Sequence, residues 1–264
     1  MMLAPGVNPS GTCSRLQHMT PADYALLAAT IVFSSFVSGV FGMAGGMVLL
    51  GVLLAYFDVA AGMILFSIIQ IFANGWRAWQ WRGYVLWPII GWYTLGSALA
   101  FTCLFLIAFV PDKAMVYLAL GLMPFAVEFL PVALRPNIEW RYVPFVTGVL
   151  TTVVQLFAGV GGLFLDIFFQ KSMLDRKTTN ATKAVVQSLS HVVRGVYFGS
   201  VAGLGDVPLW ACAPAILLAI AGTALAPFVL ERMTDHGFRQ WTRGIIFAVS
   251  VVYLVRGAWL FWHA

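Results

Sequence analysis

Long uninterrupted runs of apolar residues dominate the chain, and short polar connections separate them. Ten such blocks lie at 24–41, 44–57, 60–81, 84–109, 114–132, 142–157, 163–170, 178–200, 208–230 and 241–262. Most of the blocks approach the ~20 residues that an α-helix needs to cross ~30 Å of hydrocarbon. None alternates polar and apolar positions as an outer-membrane strand does. The pattern therefore predicts an all-α polytopic membrane protein.

Two of these blocks, 44–57 and 163–170, are too short for a full crossing, and each directly follows a glycine cluster. The clusters read GVFGMAGG at 39–46 and FAGVGG at 157–162. Small residues in membrane helices commonly serve close helix packing. Alternatively, each cluster breaks a helix whose unwound backbone faces a cavity. The matching half-helices favour this second interpretation, in which free N–H groups at a helix start bind an anion. The candidate backbone donors are Gly45, Gly46, Gly161 and Gly162.

The two clusters belong to a longer internal similarity. If a shift of one residue is allowed, the helices that follow the clusters also align. The sequence IIQIFANGWRAW in the first then matches VVQSLSHVVRGV in the second. We therefore expect two repeats, each containing a glycine-broken helical hairpin and three full transmembrane helices. The predicted organisation is a flexible tail at 1–21, a first repeat at 22–135, a linker at 136–141 and a second repeat at 142–264. The alignment matches three polar pairs: Gln70 with Gln187, Asn74 with His191, and Arg77 with Arg194.

Loop charge indicates how the repeats are oriented. Suppose that each glycine cluster joins two helices into a hairpin that starts and ends on the same side of the membrane. The loops near Arg82, Arg135 and Arg141 then face the same side as the loops at 171–183 and 232–243. That side then collects ten of the fifteen basic residues. By the positive-inside rule it is cytoplasmic, which puts both termini outside the cytoplasm of a bacterial inner membrane. Three crossings per repeat also give the halves opposite topology, as in the inverted repeats of secondary transporters.

The matched polar residues predict a binding site. Positions i, i+4 and i+7 share one face of a helix, and ionisable residues in membrane helices usually face a cavity. The arginines would attract an anion from either side, while the amide and imidazole groups would hydrogen-bond its oxygens. Snorkelling or helix–helix hydrogen bonding remains the alternative. The candidate substrate-binding side chains are Gln70, Asn74, Arg77, Gln187, His191 and Arg194.

Two differences between the repeats suggest proton coupling. His191 stands opposite Asn74 and can titrate near neutral pH. Asp166 stands opposite Leu50, one turn beyond Gly162. Both are candidates for carrying a coupling proton, although Asp166 could equally be a capping or ion-paired carboxylate.

Composition narrows the function classes. Hydrophobic residues make up 61% of the 264 and charged residues 9%, against about a quarter charged in soluble proteins. The net charge of +5 lies mostly in short loops, so it predicts topology rather than nucleic-acid binding. Three scattered cysteines provide neither a disulfide framework nor a metal site. Enzyme motifs are absent, so we expect no enzyme, no cofactor and no metal. The expected partners are the lipid bilayer and a small anion, with a homodimer compatible with the sequence.

Two glycine-containing segments resemble the TauE/SafE sulfite exporter family, and each is followed by a long helix that carries several polar residues. The segments are GVFGMAGGMVLL and QLFAGVGGLFLDIFF. The resemblance runs from about residue 24 to 262. It implies a secondary transporter that exports sulfite, sulfoacetate or a related sulfur-containing anion by using the proton gradient. Two alternatives are an importer of a related species such as thiosulfate and a non-transporting membrane scaffold subunit. A scaffold would have no reason to carry two matched arginine-bearing faces inside the bilayer.

Overall fold

The computed structural model describes residues 19–41, 44–131, 135–159, 161–169, 171–204, 207, 209–230, 232 and 235–263. Within these ranges all regular structure is helical, which confirms the predicted all-α class. Most of the predicted tail, residues 1–18, lies outside the described residues. The helices are α1 Pro21–Phe41, α2 Ala44–Tyr56, α3 Val59–Gln80, α4 Trp87–Ile107, α5 Lys113–Phe129, α6 Val143–Ala158, α7 Gly161–Phe169, α8 Arg176–Val201, α9 Leu209–Leu230 and α10 Asp235–Trp262, with a 3-10 turn at Arg82–Tyr84.

The surface carries large apolar side chains, whereas many polar side chains lie inside. Leu106 is 81% exposed and Phe129 is 79% exposed, yet Arg194 is fully buried. A soluble protein buries its large apolar side chains and exposes its charges. The reverse arrangement is expected where lipid surrounds the protein. The chain is therefore a multi-pass membrane protein.

Five helices are long and apolar enough to cross a bilayer, namely α1, α3, α4, α9 and α10. Four of them coincide with predicted full crossings, and α1 is a predicted hairpin arm. The other two predicted crossings correspond to α5, which has 17 residues, and α8, which begins with the polar sequence RKTTNATK. The number of crossings and their orientation therefore stay predictions.

Helix boundaries coincide with the two glycine clusters. Helix α6 ends at Ala158, and Gly159 follows in the left-handed region with φ 76°. Glycine suits this position because it has no Cβ to clash there, and α7 begins two residues later. In the first cluster α1 ends at Phe41 and α2 begins at Ala44. Gly42, Met43 and Val160 lie outside the described residues.

Aspartates at equivalent places start the two central helices. The Asp58 carboxylate accepts a hydrogen bond from the Ala61 N–H at 2.9 Å and caps α3. The Asp175 carboxylate accepts from the N–H groups of Lys177 and Thr178 at 2.9 and 3.0 Å and caps α8. Hydrogen bonds from Thr178 also lower the pKa of Asp175 below its usual value. Such caps satisfy N–H groups that have no partner within the helix.

The helices pack in matched pairs around a central contact. Helix α3 packs along α8, and α5 packs along α10. Helix α1 packs against α9, and α6 packs against α4. If α1–α5 are matched in order with α6–α10, the pairs α3–α8 and α5–α10 each correspond to themselves. The pair α1–α9 then corresponds to the pair α6–α4. The two halves therefore interlock, with α3 and α8 at the centre of the molecule.

Candidate functional site

A small polar cavity of about 30 Å³ lies between α3 and α8, beside the starts of α2 and α7. This volume is room for about two water molecules. Seven of the ten predicted substrate-binding residues line it: Gly46, Gln70, Asn74, Gly161, Gly162, Gln187 and His191. The rest of the lining consists of Phe66, Tyr93, Thr151, Gln155, Gly159, Leu165 and Ser190. The cavity thus collects residues from both halves of the chain.

Arg77 lies directly behind this lining rather than in it. One terminal nitrogen, Nη2, donates to Asn74 Oδ1 and to Gln187 Oε1, at 2.6 Å each. The other, Nη1, donates to the Ser38 carbonyl oxygen at 3.1 Å. The guanidinium therefore joins α1, α3 and α8 by binding oxygen atoms only.

Arg194 takes the corresponding position on α8. Its Nε donates to Ser67 Oγ at 2.8 Å, and Nη1 donates to the carbonyl oxygen of Gly159. Its Nη2 lies 2.9 Å from His191 Nδ1. The guanidinium carbon also lies 4.4 Å from the centre of the Phe66 ring, which adds a cation–π contact. Every partner of this buried cation is a neutral group.

The two arginines determine which atoms face the cavity. Arginine has donors and no acceptor, so the atoms that it binds must be the acceptor ends of Asn74, Gln187 and His191. Their opposite ends, Asn74 Nδ2, Gln187 Nε2 and the protonated Nε2 of His191, have no protein acceptor among the described residues. These N–H groups are therefore available to a ligand.

Gln155 adds a donor that the sequence analysis missed. Its side chain is 97% buried, and Nε2 has no hydrogen-bond partner among the described residues although Gln155 lines the cavity. A buried amide without a partner costs stability unless a ligand or water satisfies it. The available signal was a glutamine inside an apolar helix, two residues before the second glycine cluster. Gln155 has no counterpart in the first repeat, so the repeat alignment does not single it out.

The hydrogen-bonded hydroxyl groups of Tyr93, Thr151 and Ser190 form one wall of the cavity. The sequence pattern does not predict this wall either. Tyr93 Oη lies 2.5 Å from Ser190 Oγ and 2.8 Å from Thr151 Oγ1. Isolated hydroxyl residues are too common in membrane helices to single these out from sequence. Their convergence depends on the packing of α4 against α6 and α8.

Two of the singled-out residues lie elsewhere. A methyl group at Gly45 would come within 1.9 Å of the Ser34 carbonyl oxygen, so this glycine lies at the close contact of α2 with α1. Asp166 forms an ion pair with Lys183 and is not among the residues that line the cavity. The described residues that line the cavity include no carboxylate, so an anion entering it meets N–H donors and two nearby positive charges.

Comparison with known families agrees with this chemistry. The model of the family described as sulfite exporter TauE/SafE matches residues 27–253. The chain belongs to the sulfite exporter TauE/SafE family. The match confirms the resemblance found in the two glycine-containing segments, and the family is one of membrane transporters. No curated protein and no solved structure matches the chain.

Within this TauE/SafE protein, both glycine clusters reach the cavity at helix starts. Gly46 lies in the first turn of α2, and Gly161 and Gly162 begin α7. The first N–H groups of a helix have no partner within it. Together with the positive end of the helix dipole, they make these two starts suitable neighbours for an anion.

Proposed function

We propose that the chain is a secondary transporter that exports a small sulfur-containing anion, sulfite or an organosulfonate, across the inner membrane. The observation that carries this proposal is the small polar cavity that offers N–H donors and is backed by two buried arginines. Such a cavity stabilises an anion inside a protein that otherwise presents apolar groups to lipid. Family membership supports sulfite as the reference substrate.

An inverted repeat provides the mechanism. The matched helix pairings support two structurally related halves. Side-chain hydrogen bonds cross between these halves at the cavity. Arg77 donates to Gln187, Arg194 donates to Ser67, and the Tyr93 hydroxyl bonds to those of Thr151 and Ser190. Rocking one half against the other would break these bonds in turn and open the cavity to alternate sides, as inverted-repeat transporters do. The positive-inside pattern supports the orientation with both termini outside the cytoplasm.

His191 is the better supported of the two candidates for proton coupling. It lines the cavity, and its Nδ1 accepts the hydrogen bond from Arg194. A proton on Nδ1 would break that bond and place a third positive charge beside the anion. Asp166 is already held by Lys183 away from the cavity lining, so a proton there would act only indirectly.

Protection of the purified protein against heat by sulfite tests the site. A ligand that binds the folded state raises the melting temperature with its concentration. We expect sulfite to raise it for the wild type, and Arg77→Ala and Arg194→Ala to lose that rise. Arg256→Ala is the matched control, because Arg256 is an exposed arginine that packs on Trp259 of α10 and does not line the cavity.

Undiminished protection in both arginine variants would refute the site assignment. Protection by thiosulfate but not by sulfite would favour the importer of a related sulfur species. Protection by no sulfur oxyanion would favour a scaffold subunit over a transporter.

A further inference from the structure

An ion pair between Asp166 of α7 and Lys183 of α8 lies next to the cavity and outside its lining. Asp166 directly follows Leu165, which lines the cavity. Lys183 lies four residues before Gln187, which lines the cavity as well. Residues four apart share one face of a helix, so Lys183 lies on the cavity side of α8, about 6 Å nearer the start of the helix.

The ion pair is partly exposed, and it lies on the side of the cavity where α8 begins. The Lys183 side chain is 16% exposed and the Asp166 side chain is 34% exposed, whereas Gln187 is buried. Charged groups of a membrane protein face water or a polar cavity rather than lipid. The basic segment 171–183 leads into α8, and the positive-inside rule assigns this segment to the cytoplasm. The pair therefore lies between the cavity and the predicted cytoplasmic side.

The two repeats differ at this place. The repeat alignment puts Phe66 opposite Lys183, and it puts Leu50 opposite Asp166. Both apolar side chains are buried, with 1% of Phe66 and 0% of Leu50 exposed. In an inverted repeat these positions lie on the opposite side of the cavity. An anion therefore meets charged groups on one approach and buried apolar groups on the other.

The ion pair is also easy to exchange. A partly exposed lysine–carboxylate pair contributes little to stability, because solvent already stabilises both charges. Lysine carries its charge on a flexible stem with three donors, so Lys183 can turn from Asp166 to another anion. Arg194 differs in this respect, since it is fully buried and bound to three other residues.

We infer that Lys183 is the first contact of the transported anion on the cytoplasmic side of the cavity, and that Asp166 occupies Lys183 while no anion is bound. This inference rests on the proposed function and adds an entry residue to its site. An arriving oxyanion takes the place of the Asp166 carboxylate and then moves about one helical turn to the N–H donors of Gln187 and His191. Asp166 competes with the anion, so the two members of the pair have opposite effects on apparent affinity.

Initial rates of labelled sulfite uptake into everted membrane vesicles test this inference, because the cytoplasmic face of the full-length protein is then accessible. We expect Lys183→Gln to raise the half-saturating sulfite concentration about two- to fivefold and Asp166→Asn to lower it by a similar factor. An ion pair that only stabilises the fold is broken by either change and predicts effects in the same direction. Effects in the same direction, or no effect of either variant, would overturn the inference.

Two further lysine variants are the controls. Lys183→Arg keeps a positive charge and should keep a half-saturating concentration near that of the wild type. Lys177→Gln removes the same charge nearer the start of α8, where Lys177 lies over the rings of Trp81 and Tyr84, and it should also behave like the wild type. An increase as large as that of Lys183→Gln in either control would overturn a specific role of the Lys183 charge.

Right-side-out vesicles test the side of entry. Uptake from the outer face should keep its wild-type half-saturating concentration in Lys183→Gln. An increase of equal size from both faces, or one confined to the outer face, would overturn the assignment of Lys183 to cytoplasmic entry. Absence of saturable sulfite uptake by the wild type in both vesicle types would instead overturn the proposed function.

Discussion

Arg77 and Arg194 lie behind the cavity and bind the acceptor atoms of Asn74, Gln187 and His191. The repeat alignment and the spacing of polar residues were enough to single out both arginines, together with Gln70, Asn74 and His191. That spacing could not show that the arginines lie behind the cavity. Positions i, i+4 and i+7 share a helix face, but the packing of α3 against α8 decides which side chain on that face reaches the cavity. Gln155 has no counterpart in the first repeat, so the repeat alignment does not single it out, and its place at the cavity depends on the packing of α6.

The asymmetry between Asn74 and His191 leads to a prediction about coupling. Replacing His191 by Asn makes the second repeat resemble the first and leaves no group that titrates near neutral pH at that position. We expect His191→Asn to retain sulfite exchange in liposomes but to lose its acceleration by a pH gradient. Asp166→Asn is the comparison, since Asp166 does not line the cavity.

Retained acceleration in His191→Asn with its loss in Asp166→Asn would assign the coupling proton to Asp166. Acceleration retained in both variants would contradict coupling through either residue.

At the scale of helices, the apolar blocks predicted the number and approximate bounds of the elements well. Ten blocks correspond to ten described helices, because long apolar runs leave few alternatives to helix in lipid. Which helices cross fully was harder to predict. Helix α8 begins with eight mostly polar residues before its apolar part, so hydropathy alone does not determine how much of it lies in the hydrocarbon.

Close contact between α4 and α6 depends on particular glycines. A methyl group at Gly96 would lie 2.0 Å from the Phe145 carbonyl oxygen, which belongs to backbone and cannot move aside alone. We expect Gly96→Ala to destabilise the protein by about 1–3 kcal/mol and to lower its melting temperature in detergent. Gly91→Ala on the same helix is the control, since nothing lies within 4 Å of the added methyl group.

Gly91→Ala should leave the melting temperature unchanged or raise it slightly, because alanine favours helix over glycine by up to about 1 kcal/mol. Equal melting temperatures for the two variants would contradict the close α4–α6 contact.

At the scale of the whole molecule, the two halves meet at α3 and α8 around one polar cavity. Sequence similarity between the halves could suggest the duplication. Sequence similarity could not show that the first helix of each half packs against a helix of the other half. Helix α1 packs against α9, and α6 packs against α4. Such contacts join residues far apart in the chain, and no local pattern encodes them. The interlocked arrangement explains why residues of both halves line the cavity.

Counterflow of labelled sulfite into liposomes that contain the purified protein and unlabelled sulfite tests the central claim most directly. It measures exchange through the protein without depending on the direction of a net gradient. We predict saturable uptake that is lost in Arg77→Ala and Arg194→Ala and retained in Arg256→Ala. Uptake that is absent in the wild type, or equal in all four proteins, would contradict transport through this cavity.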